Sequence, residues 1–210
     1  MDVDLIVPMK RPSLGKSRLR GATAAERHAE LVLALAADTL AAVTSAARVR
    51  RVLLVAAEPA TVAELAELGV EIVAEPSDGG LNAALRHGES VLRADDQAAV
   101  IGAMQADLPA LRAEDLTTAL AEAAGRRAFV ADRQGTGTTL LLSAPGGALG
   151  PRFGTGSARA HAHSGAISLT APVTSLRSDV DTPADLEHAC SLGVGKHTAA
   201  LLGEPCISLG

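Results

Sequence analysis

The chain has no tryptophan and no tyrosine, and its two phenylalanines are Phe129 and Phe153. Any nucleobase that binds to it must therefore be held without the aromatic stacking that many base-binding proteins use. Basic clusters interleaved with aromatic residues are also absent, and the net charge is −5. Because phosphate contacts dominate the affinity of proteins for nucleic acids, this composition argues against a nucleic-acid partner. We expect the bound anions to be small molecules.

Cysteine is also scarce: Cys190 and Cys206 are too few for a disulfide framework or a zinc site, and we interpret both as thiols. The first residues lack the basic and apolar regions of a signal peptide. No segment reaches the ~18 uninterrupted apolar residues of a membrane span. We therefore expect a cytoplasmic protein with no membrane partner.

The common nucleotide-binding motifs are missing as well. Neither G-x-G-x-x-G nor G-x-x-x-x-G-K-[ST] occurs, so dinucleotide and P-loop interpretations lose their usual support. The length of 210 residues and the 48% hydrophobic composition suffice for one substantial core, and no linker-like stretch divides the chain. We expect a single domain over residues 1–210, in which residues 195–210 form a C-terminal tail to which we assign no function.

Short apolar runs with β-branched residues alternate with helical patterns along the chain. Most of the runs lack polar alternation, which is typical of buried parallel strands. The order predicts an α/β fold with a doubly wound, mostly parallel sheet, whose ligand site lies outside the carboxyl ends of the strands. The predicted strands are 5–7, 52–55, 70–73, 98–101, 128–130 and 140–142, and the predicted helices are 24–44, 60–68, 81–93 and 113–124.

The run Asp179-Val180-Asp181 is the most informative feature of the sequence. In a strand, residues two apart point to the same side, so both carboxylates should project together, just before a helix capped by Thr182. A third aspartate, Asp107, follows another predicted strand. Three carboxylates with no His or Cys cluster nearby form an oxygen-only ligand set that suits Mg²⁺ held between protein and phosphates. We predict Asp107, Asp179 and Asp181 as metal ligands, which indicates phosphoryl or nucleotidyl transfer.

Four cations follow the first predicted strand: Lys10, Arg11, Lys16 and Arg18. In this position they are suited to hold a triphosphate and to stabilise the charge that builds up as pyrophosphate leaves. A solvated basic loop is the alternative interpretation.

Three further segments carry polar groups suited to a ligand. Asn82 follows a glycine pair at the start of a predicted helix, where its amide suits a base edge or a ribose, although an Asn there is more often a cap. In Gly135–Thr138 and Phe153–Ser157, hydroxyls and exposed backbone amides could cradle a phosphate or a carboxylate. We interpret the nearby His161 and His163 as surface or local hydrogen-bonding residues.

In their order and combination, the motifs resemble those of the 2-phospho-L-lactate/phosphoenolpyruvate guanylyltransferases, and the resemblance runs from about residue 4 to residue 195. The motifs are Pro8-x-Lys10, Lys16-Ser17-Arg18-Leu19, Gly80-Leu81-Asn82, Ala106-Asp107-Leu108-Pro109, Asp132-Arg133-x-Gly135-Thr136-Gly137-Thr138, Phe153-Gly154-x-x-Ser157 and Asp179-Val180-Asp181-Thr182-Pro183.

The resemblance implies a nucleotidyltransferase fold of the glycosyltransferase-A-like, Rossmann-like kind. It implies transfer of GMP from GTP, with Mg²⁺, to the phosphate of phosphoenolpyruvate or 2-phospho-L-lactate, in the biosynthesis of a deazaflavin redox coenzyme. The roles that we assign on this basis are catalysis by Lys10, Lys16, Arg18 and Asp107; nucleotide binding by Pro8, Lys10, Lys16, Leu81 and Asn82; acid binding by Thr138, Gly154 and Ser157; and metal binding by Asp107, Asp179 and Asp181.

Other functions stay open at this point. One alternative is a nucleotidyltransferase with another acceptor, such as 3-phosphoglycerate, molybdopterin or a sugar phosphate. Another is a nucleotide-binding protein without catalytic activity. The sequence does not distinguish among the phosphorylated three-carbon acids, because they share a phosphate and a carboxylate. A homodimer, and hand-over of the product to the next enzyme of the pathway, are compatible with the resemblance.

Overall fold

The computed structural model describes residues 2–13, 16, 19, 27–76, 79–203 and 206. Arg18, one of the predicted catalytic cations, lies outside these residues. The apolar runs form seven strands, which are β1 (Val3–Met9), β2 (Val49–Ala56), β3 (Glu71–Ala74), β4 (Val100–Met104), β5 (Ala128–Ala131), β6 (Thr138–Leu142) and β7 (Ile167–Ser168). They form one sheet in the order β3-β2-β1-β4-β6-β5-β7.

Most strand pairs in the sheet are parallel. Strand β1 pairs in parallel with β2 and β4, β2 pairs in parallel with β3, and β5 with β7. Only β6 runs antiparallel to its neighbours, β4 and β5. The predicted α/β fold with a mostly parallel sheet is thus confirmed. The chain moves outward from β1 to β3 and then returns to β4 on the other side of β1, so the topological switch point lies between β1 and β4.

Helices connect the strands and cover the sheet. They are α1 (His28–Ser45), α2 (Gly80–Asp95), α3 (Ala113–Ala123), α4 (Ser157–His163), α5 (Pro183–Leu192) and α6 (Lys196–Leu202), with 3₁₀ helices at Pro59–Leu68 and Ser175–Arg177. The segment predicted as a helix at 60–68 is therefore helical but of the 3₁₀ type. The sequence patterns did not predict α4, α6 or β7.

Alternate residues of β1 face the two sides of the sheet, as the strand period of two requires. Leu5 and Val7 belong to an apolar cluster with residues of α1 and α3, whereas Ile6 belongs to a second cluster with residues of α2 and α4. Helix α2 approaches β1 closely at Gly88, where a Cβ atom would lie 2.7 Å from Cγ2 of Ile6. This close approach requires a glycine.

The segment Asp179–Asp181 is not a strand, so that prediction is wrong. It lies without regular secondary structure between the 3₁₀ helix Ser175–Arg177 and α5. Val180 is nevertheless fully buried, in a third apolar cluster with Leu31 and Leu35 of α1 and residues of α5. The predicted cap of the next helix is confirmed, since Thr182 and Asp185 form a capping box at the start of α5.

Helix α1 is long and apolar enough to cross a membrane by length and composition, but half of it is buried inside the fold, as in the core helix of a globular domain. It also anchors α6. The carboxylate of Asp38 in α1 accepts hydrogen bonds from the backbone N–H groups of His197 (3.0 Å) and Thr198 (2.8 Å). The first turn of α6 is therefore fixed to the core, although its sequence shows little periodicity.

The two cysteines are not free thiols. Cys190 in α5 and Cys206 beyond α6 form a disulfide, with their Cα atoms 5.0 Å apart. The expectation of two thiols is wrong because the chain beyond α6 returns to α5 and brings together two cysteines that are 16 residues apart in sequence.

Candidate active site

A cavity of about 400 Å³ opens at the carboxyl ends of β1 and β4, at the switch point of the sheet. Residues that follow these two strands form one wall, and α1 and α2 form the others. Six of the residues predicted for catalysis, nucleotide binding or metal binding line it. The lining consists of Pro8, Met9, Lys10, Lys16, Val32, Leu35, Ala36, Leu81, Leu85, Met104, Gln105, Ala106, Asp107, Phe153 and Asp181.

One backbone hydrogen bond brings the predicted metal ligands together. The N–H of Val180 donates to the carbonyl oxygen of Asp107 at 3.0 Å. Because Val180 is held in the core, the aspartates on either side of it lie beside Asp107. The buried apolar residue thus has the positioning role that a strand was predicted to have.

The ammonium group of Lys16 lies among these carboxylates. Its Nζ forms ion pairs with Asp107 and with Asp181, the latter at 2.5 Å. Burial by itself would lower the pKa of Lys16, but the two carboxylates outweigh it and raise the pKa above its usual range. Lys16 is therefore a permanent positive charge at this end of the cavity.

Asp179 has an unusual protonation equilibrium. Burial, followed by the nearby charges of Asp107 and Asp181, raises its pKa to about 7, and Lys16 opposes this only in part. The negative charges of the three aspartates thus exceed the one positive charge of Lys16.

The donor set fits a hard divalent cation. The described residues contain no group of three or more His, Cys, Asp or Glu side chains already arranged around a metal position. Asp107 Oδ1, however, is buried without a hydrogen-bond partner among those residues. A buried carboxylate oxygen with no donor, beside two further carboxylates, is a suitable oxygen ligand for Mg²⁺.

The other predicted cations differ in their surroundings. Lys10 is exposed and lines the cavity directly after β1. Arg11 instead points to Glu58, with which it forms an exposed ion pair at 2.8 Å. Arg18 lies outside the described residues.

Asn82 does not present a free amide to the cavity. Its Nδ2 donates to the carbonyl oxygen of Phe153 at 2.9 Å, and the N–H of Phe153 donates to its Oδ1 at 2.8 Å. The expectation that this amide faces a base edge or ribose is revised, because the main chain of Phe153 occupies both ends of it. Leu81, the preceding residue, does line the cavity.

The residues predicted to bind the acid lie next to the cavity rather than in its wall. Thr138 begins β6 and Ser157 begins α4, and both are almost fully buried. The N–H of Ser157 donates to the carbonyl oxygen of Gly154 at 3.0 Å. Phe153 lines the cavity and Gly154 follows it directly, so the residues predicted to bind the acid adjoin the cavity through Phe153.

Asp132 shapes the glycine-threonine loop. Its carboxylate accepts hydrogen bonds from the N–H groups of Thr136 (2.8 Å) and Gly137 (2.7 Å). A Cβ atom at Gly137 would lie 2.3 Å from Asp132 Oδ2, so the loop closes tightly over this carboxylate. The loop therefore delivers Thr138 to the sheet in a fixed conformation.

Of the two interpretations of His161, a surface residue or a local hydrogen-bonding residue, the structure shows the second. This residue is fully buried, and its Nδ1 lies 2.9 Å from Oγ1 of Thr138. His163 is exposed, as expected. The signal that distinguishes them is the helix period: His161 lies four residues after Ser157 and shares its face of α4, whereas His163 does not.

Known proteins are similar to this chain over nearly its whole length. A family model described as "Guanylyl transferase CofC like" matches residues 3–208. A phosphoenolpyruvate guanylyltransferase of Geodermatophilus obscurus is 52% identical over 95% of this chain and 93% of its own length. Another, of Thermomonospora curvata, is 47% identical over 98% and 91%.

Solved structures share the fold at low sequence identity. A candidate nucleotide-diphospho-sugar transferase from Desulfovibrio desulfuricans G20 superposes with a TM-score of 0.74 at 16% identity, over 100% of this chain and 99% of that one. A 4-diphosphocytidyl-2C-methyl-D-erythritol synthase gives 0.59 at 15% identity, over 91% and 98%. These similarities show a nucleotidyltransferase-like fold.

Proposed function

Because the chain belongs to the CofC-like family of guanylyl transferases, we propose that it transfers GMP from GTP to the phosphate of phosphoenolpyruvate and releases pyrophosphate. The names of the similar proteins support this acceptor over 2-phospho-L-lactate. The observation that carries the proposal is the convergence of Asp107, Asp181 and Lys16 at the switch point of a nucleotidyltransferase-like sheet.

The reaction is an in-line displacement. A phosphate oxygen of the acid attacks the α-phosphorus of GTP, and the bond between the α-phosphorus and the oxygen of the leaving pyrophosphate breaks. A phosphate monoester is already largely ionised near neutral pH, so no general base is required. Catalysis then depends on positioning and on neutralisation of charge.

The lysines supply fixed positive charge on the nucleotide side. Lys16 and Lys10 both line the cavity, and Lys16 stays protonated because two carboxylates surround it. We assign them to the phosphates of GTP, where they stabilise the charge that develops on departing pyrophosphate. Arg18 has the same proposed role. Pro8 and Leu81 complete the proposed nucleotide side, and Asn82 lies beside it, with its amide bound to the main chain of Phe153.

Asp107, Asp179 and Asp181 are the proposed ligands of Mg²⁺. The raised pKa of Asp179 and the unpartnered buried oxygen of Asp107 support this assignment. When bound, the cation supplies neutralisation of the α-phosphate charge. Val180 lies between Asp179 and Asp181, and its N–H donates to the carbonyl oxygen of Asp107, so it holds the three aspartates together.

Thr138, Gly154 and Ser157 are the proposed contacts of the acid. Hydroxyls and backbone N–H groups hold a phosphate or a carboxylate without adding charge. A homodimer, product hand-over to the next enzyme and a role in deazaflavin coenzyme biosynthesis are further parts of the proposal, which rest on the family resemblance alone. Cytoplasmic localisation is also part of the proposal, and it rests on the sequence composition.

The test is direct. The protein is incubated with GTP, Mg²⁺ and, in turn, phosphoenolpyruvate, 2-phospho-L-lactate and 3-phosphoglycerate, and the adduct is detected by mass and pyrophosphate by release assay. We expect the guanosine-diphospho adduct of phosphoenolpyruvate. ATP and CTP in place of GTP, and chelator in place of Mg²⁺, are the controls. Pyrophosphate release with none of the acids would contradict the proposal.

A further inference from the structure

His161 joins the two halves of the acid-binding region. Its ring is fully buried; Nδ1 lies 2.9 Å from Oγ1 of Thr138, and Nε2 accepts a hydrogen bond from the N–H of Arg152 at 2.9 Å. The ring also packs edge-on against Phe153, with ring centroids 5.1 Å apart. One side chain thus contacts both β6 and the loop that leads to Gly154.

These contacts fix which ring nitrogen carries the proton. A backbone N–H can only donate, so Nε2, which faces the N–H of Arg152, must be unprotonated. The proton of the neutral ring then lies on Nδ1, which donates to Oγ1 of Thr138. Because that oxygen accepts from the ring, the hydroxyl hydrogen of Thr138 is directed elsewhere.

We propose that His161 is a positioning residue for the acid substrate: it directs the Thr138 hydroxyl as a hydrogen-bond donor toward the acid and holds the Arg152–Phe153 backbone so that Gly154 and Ser157 face the same ligand. The inference rests on the proposed function of Thr138, Gly154 and Ser157. It assigns to the acid site a residue that does not touch the acid. Anionic oxygens accept hydrogen bonds only, so a hydroxyl committed as a donor suits a phosphate or carboxylate.

The electrostatic surroundings favour the same neutral tautomer. Burial, and then the nearby guanidinium groups of Arg127 and Arg152, lower the pKa of His161 to about 4. The ring is therefore neutral near pH 7. It can keep one donor and one acceptor throughout turnover.

Two substitutions separate the two hydrogen bonds of the His161 ring. Counted along the side chain, the amide of Asn reaches the position of Nδ1 and that of Gln reaches the position of Nε2. His161→Asn thus retains a donor to Thr138 but loses the acceptor for Arg152. His161→Gln retains an acceptor for Arg152 but loses the donor to Thr138.

We expect both variants to raise the KM for phosphoenolpyruvate by roughly 5- to 50-fold, since each loses one buried hydrogen bond, with less than about 2-fold change in the KM for GTP. His163→Gln, an exposed histidine of the same helix, is the matched control and should behave as the wild type. A coupling test follows with Thr138→Val. In that background, His161→Gln should add less than about 2-fold to the acid KM, because the group it directs is gone.

The outcomes distinguish this inference from the function on which it rests. A wild-type protein that forms no adduct with any of the three acids overturns the proposed function, and the inference with it. A wild type that forms the adduct, with His161 variants no different from His163→Gln, overturns the inference alone. Independent effects of His161→Gln and Thr138→Val do the same.

A measurement on the unmodified chain removes dependence on how the variants fold. The ¹⁵N spectrum of the imidazole groups at pH 7 reports the protonated nitrogen of each histidine. We expect His161 to be neutral with its proton on Nδ1. A proton on Nε2, or on both nitrogens, would overturn the assignment of Thr138 as a directed donor.

Discussion

Asn82 and Phe153 lie 71 positions apart in the chain, and the side-chain amide of Asn82 forms two hydrogen bonds with the main chain of Phe153. The first turn of α2, where Leu81 lines the cavity, is therefore tied to the loop that carries Gly154. A residue that the sequence assigned to the nucleotide thus connects the two proposed substrate sites.

Substitution of Asn82 tests this connection. Asn82→Ala leaves two half-buried backbone groups unpaired, so we expect a loss of about 1–3 kcal/mol in the free energy of unfolding. Because the freed loop carries Gly154, the KM for the acid should rise more than the KM for GTP. Denaturant unfolding and steady-state kinetics measure the two effects, with Ser90→Ala on the exposed face of α2 as the control. A selective rise in the KM for GTP would contradict this prediction and indicate that Asn82 binds the base.

The aspartates proposed as metal ligands make a second prediction. Asp179→Asn or Asp181→Asn should lower turnover by at least ~100-fold while the fold is kept, a loss typical of removing one electrostatic contact in the transition state. The measurements are kcat at saturating substrates and thermal melting. Glu187→Gln, an exposed carboxylate in α5, is the matched control. If the folded Asp variants keep near-normal turnover, the assignment of Asp179 and Asp181 as metal ligands is wrong.

Ser157 tests the division of the cavity region between the two substrates. The proposed contact of its hydroxyl with the acid is made in both the ground and the transition state, so Ser157→Ala should raise the acid KM by roughly 5- to 100-fold, corresponding to about 1–3 kcal/mol. The KM for GTP should change much less. Ser191→Ala, an exposed serine in α5, should leave both unchanged. If GTP affinity falls and acid affinity does not, the segment from Thr138 to Ser157 binds the nucleotide.

Buried His161 predicts how stability depends on pH. Its pKa is about 4 in the folded protein against an ordinary value of 6.5, so between these values the unfolded chain binds more protons than the folded one. Stability contributed by the neutral ring is present above pH 6.5 and is lost as the pH falls toward 4, by an amount on the order of 3 kcal/mol.

Urea unfolding at pH 7 and at pH 4.5 measures this loss. Wild type and His163→Gln should lose more stability between the two pH values than His161→Gln does, because Gln does not titrate. The comparison of pH slopes cancels the carboxylates common to all three proteins. Equal slopes in His161→Gln and wild type would show that His161 does not titrate differently in the folded state.

The sequence predicted the elements whose signals are local. The apolar runs of β1, β2 and β4 and the capping box of α5 are encoded within a few residues, and the structure has them close to where they were expected. It did not reveal that β6 runs antiparallel, because pairing direction depends on contacts with distant strands. The disulfide between Cys190 and Cys206 was missed for a related reason.

Within the candidate site, residue types were predictable and their partners were not. Lys10, Lys16, Asp107 and Asp181 do line one cavity, because the chemistry at strand ends follows from the sheet topology. The pairing of Asn82 with Phe153 depends on the fold of the loop before α4, which no local pattern specifies. The helix period separates His161 from His163 only once α4 itself is known, and the sequence patterns did not predict α4.

Because Val180 lies between them in the chain and is held in the core, Asp179 and Asp181 are positioned together. One apolar side chain, seated among α1 and α5, sets the distance of both carboxylates from Asp107. We expect a change in the volume of this side chain to displace both charges together, without altering any charged residue. Under the proposed metal assignment, the affinity for a divalent cation therefore depends on a core residue that is not among the proposed substrate contacts.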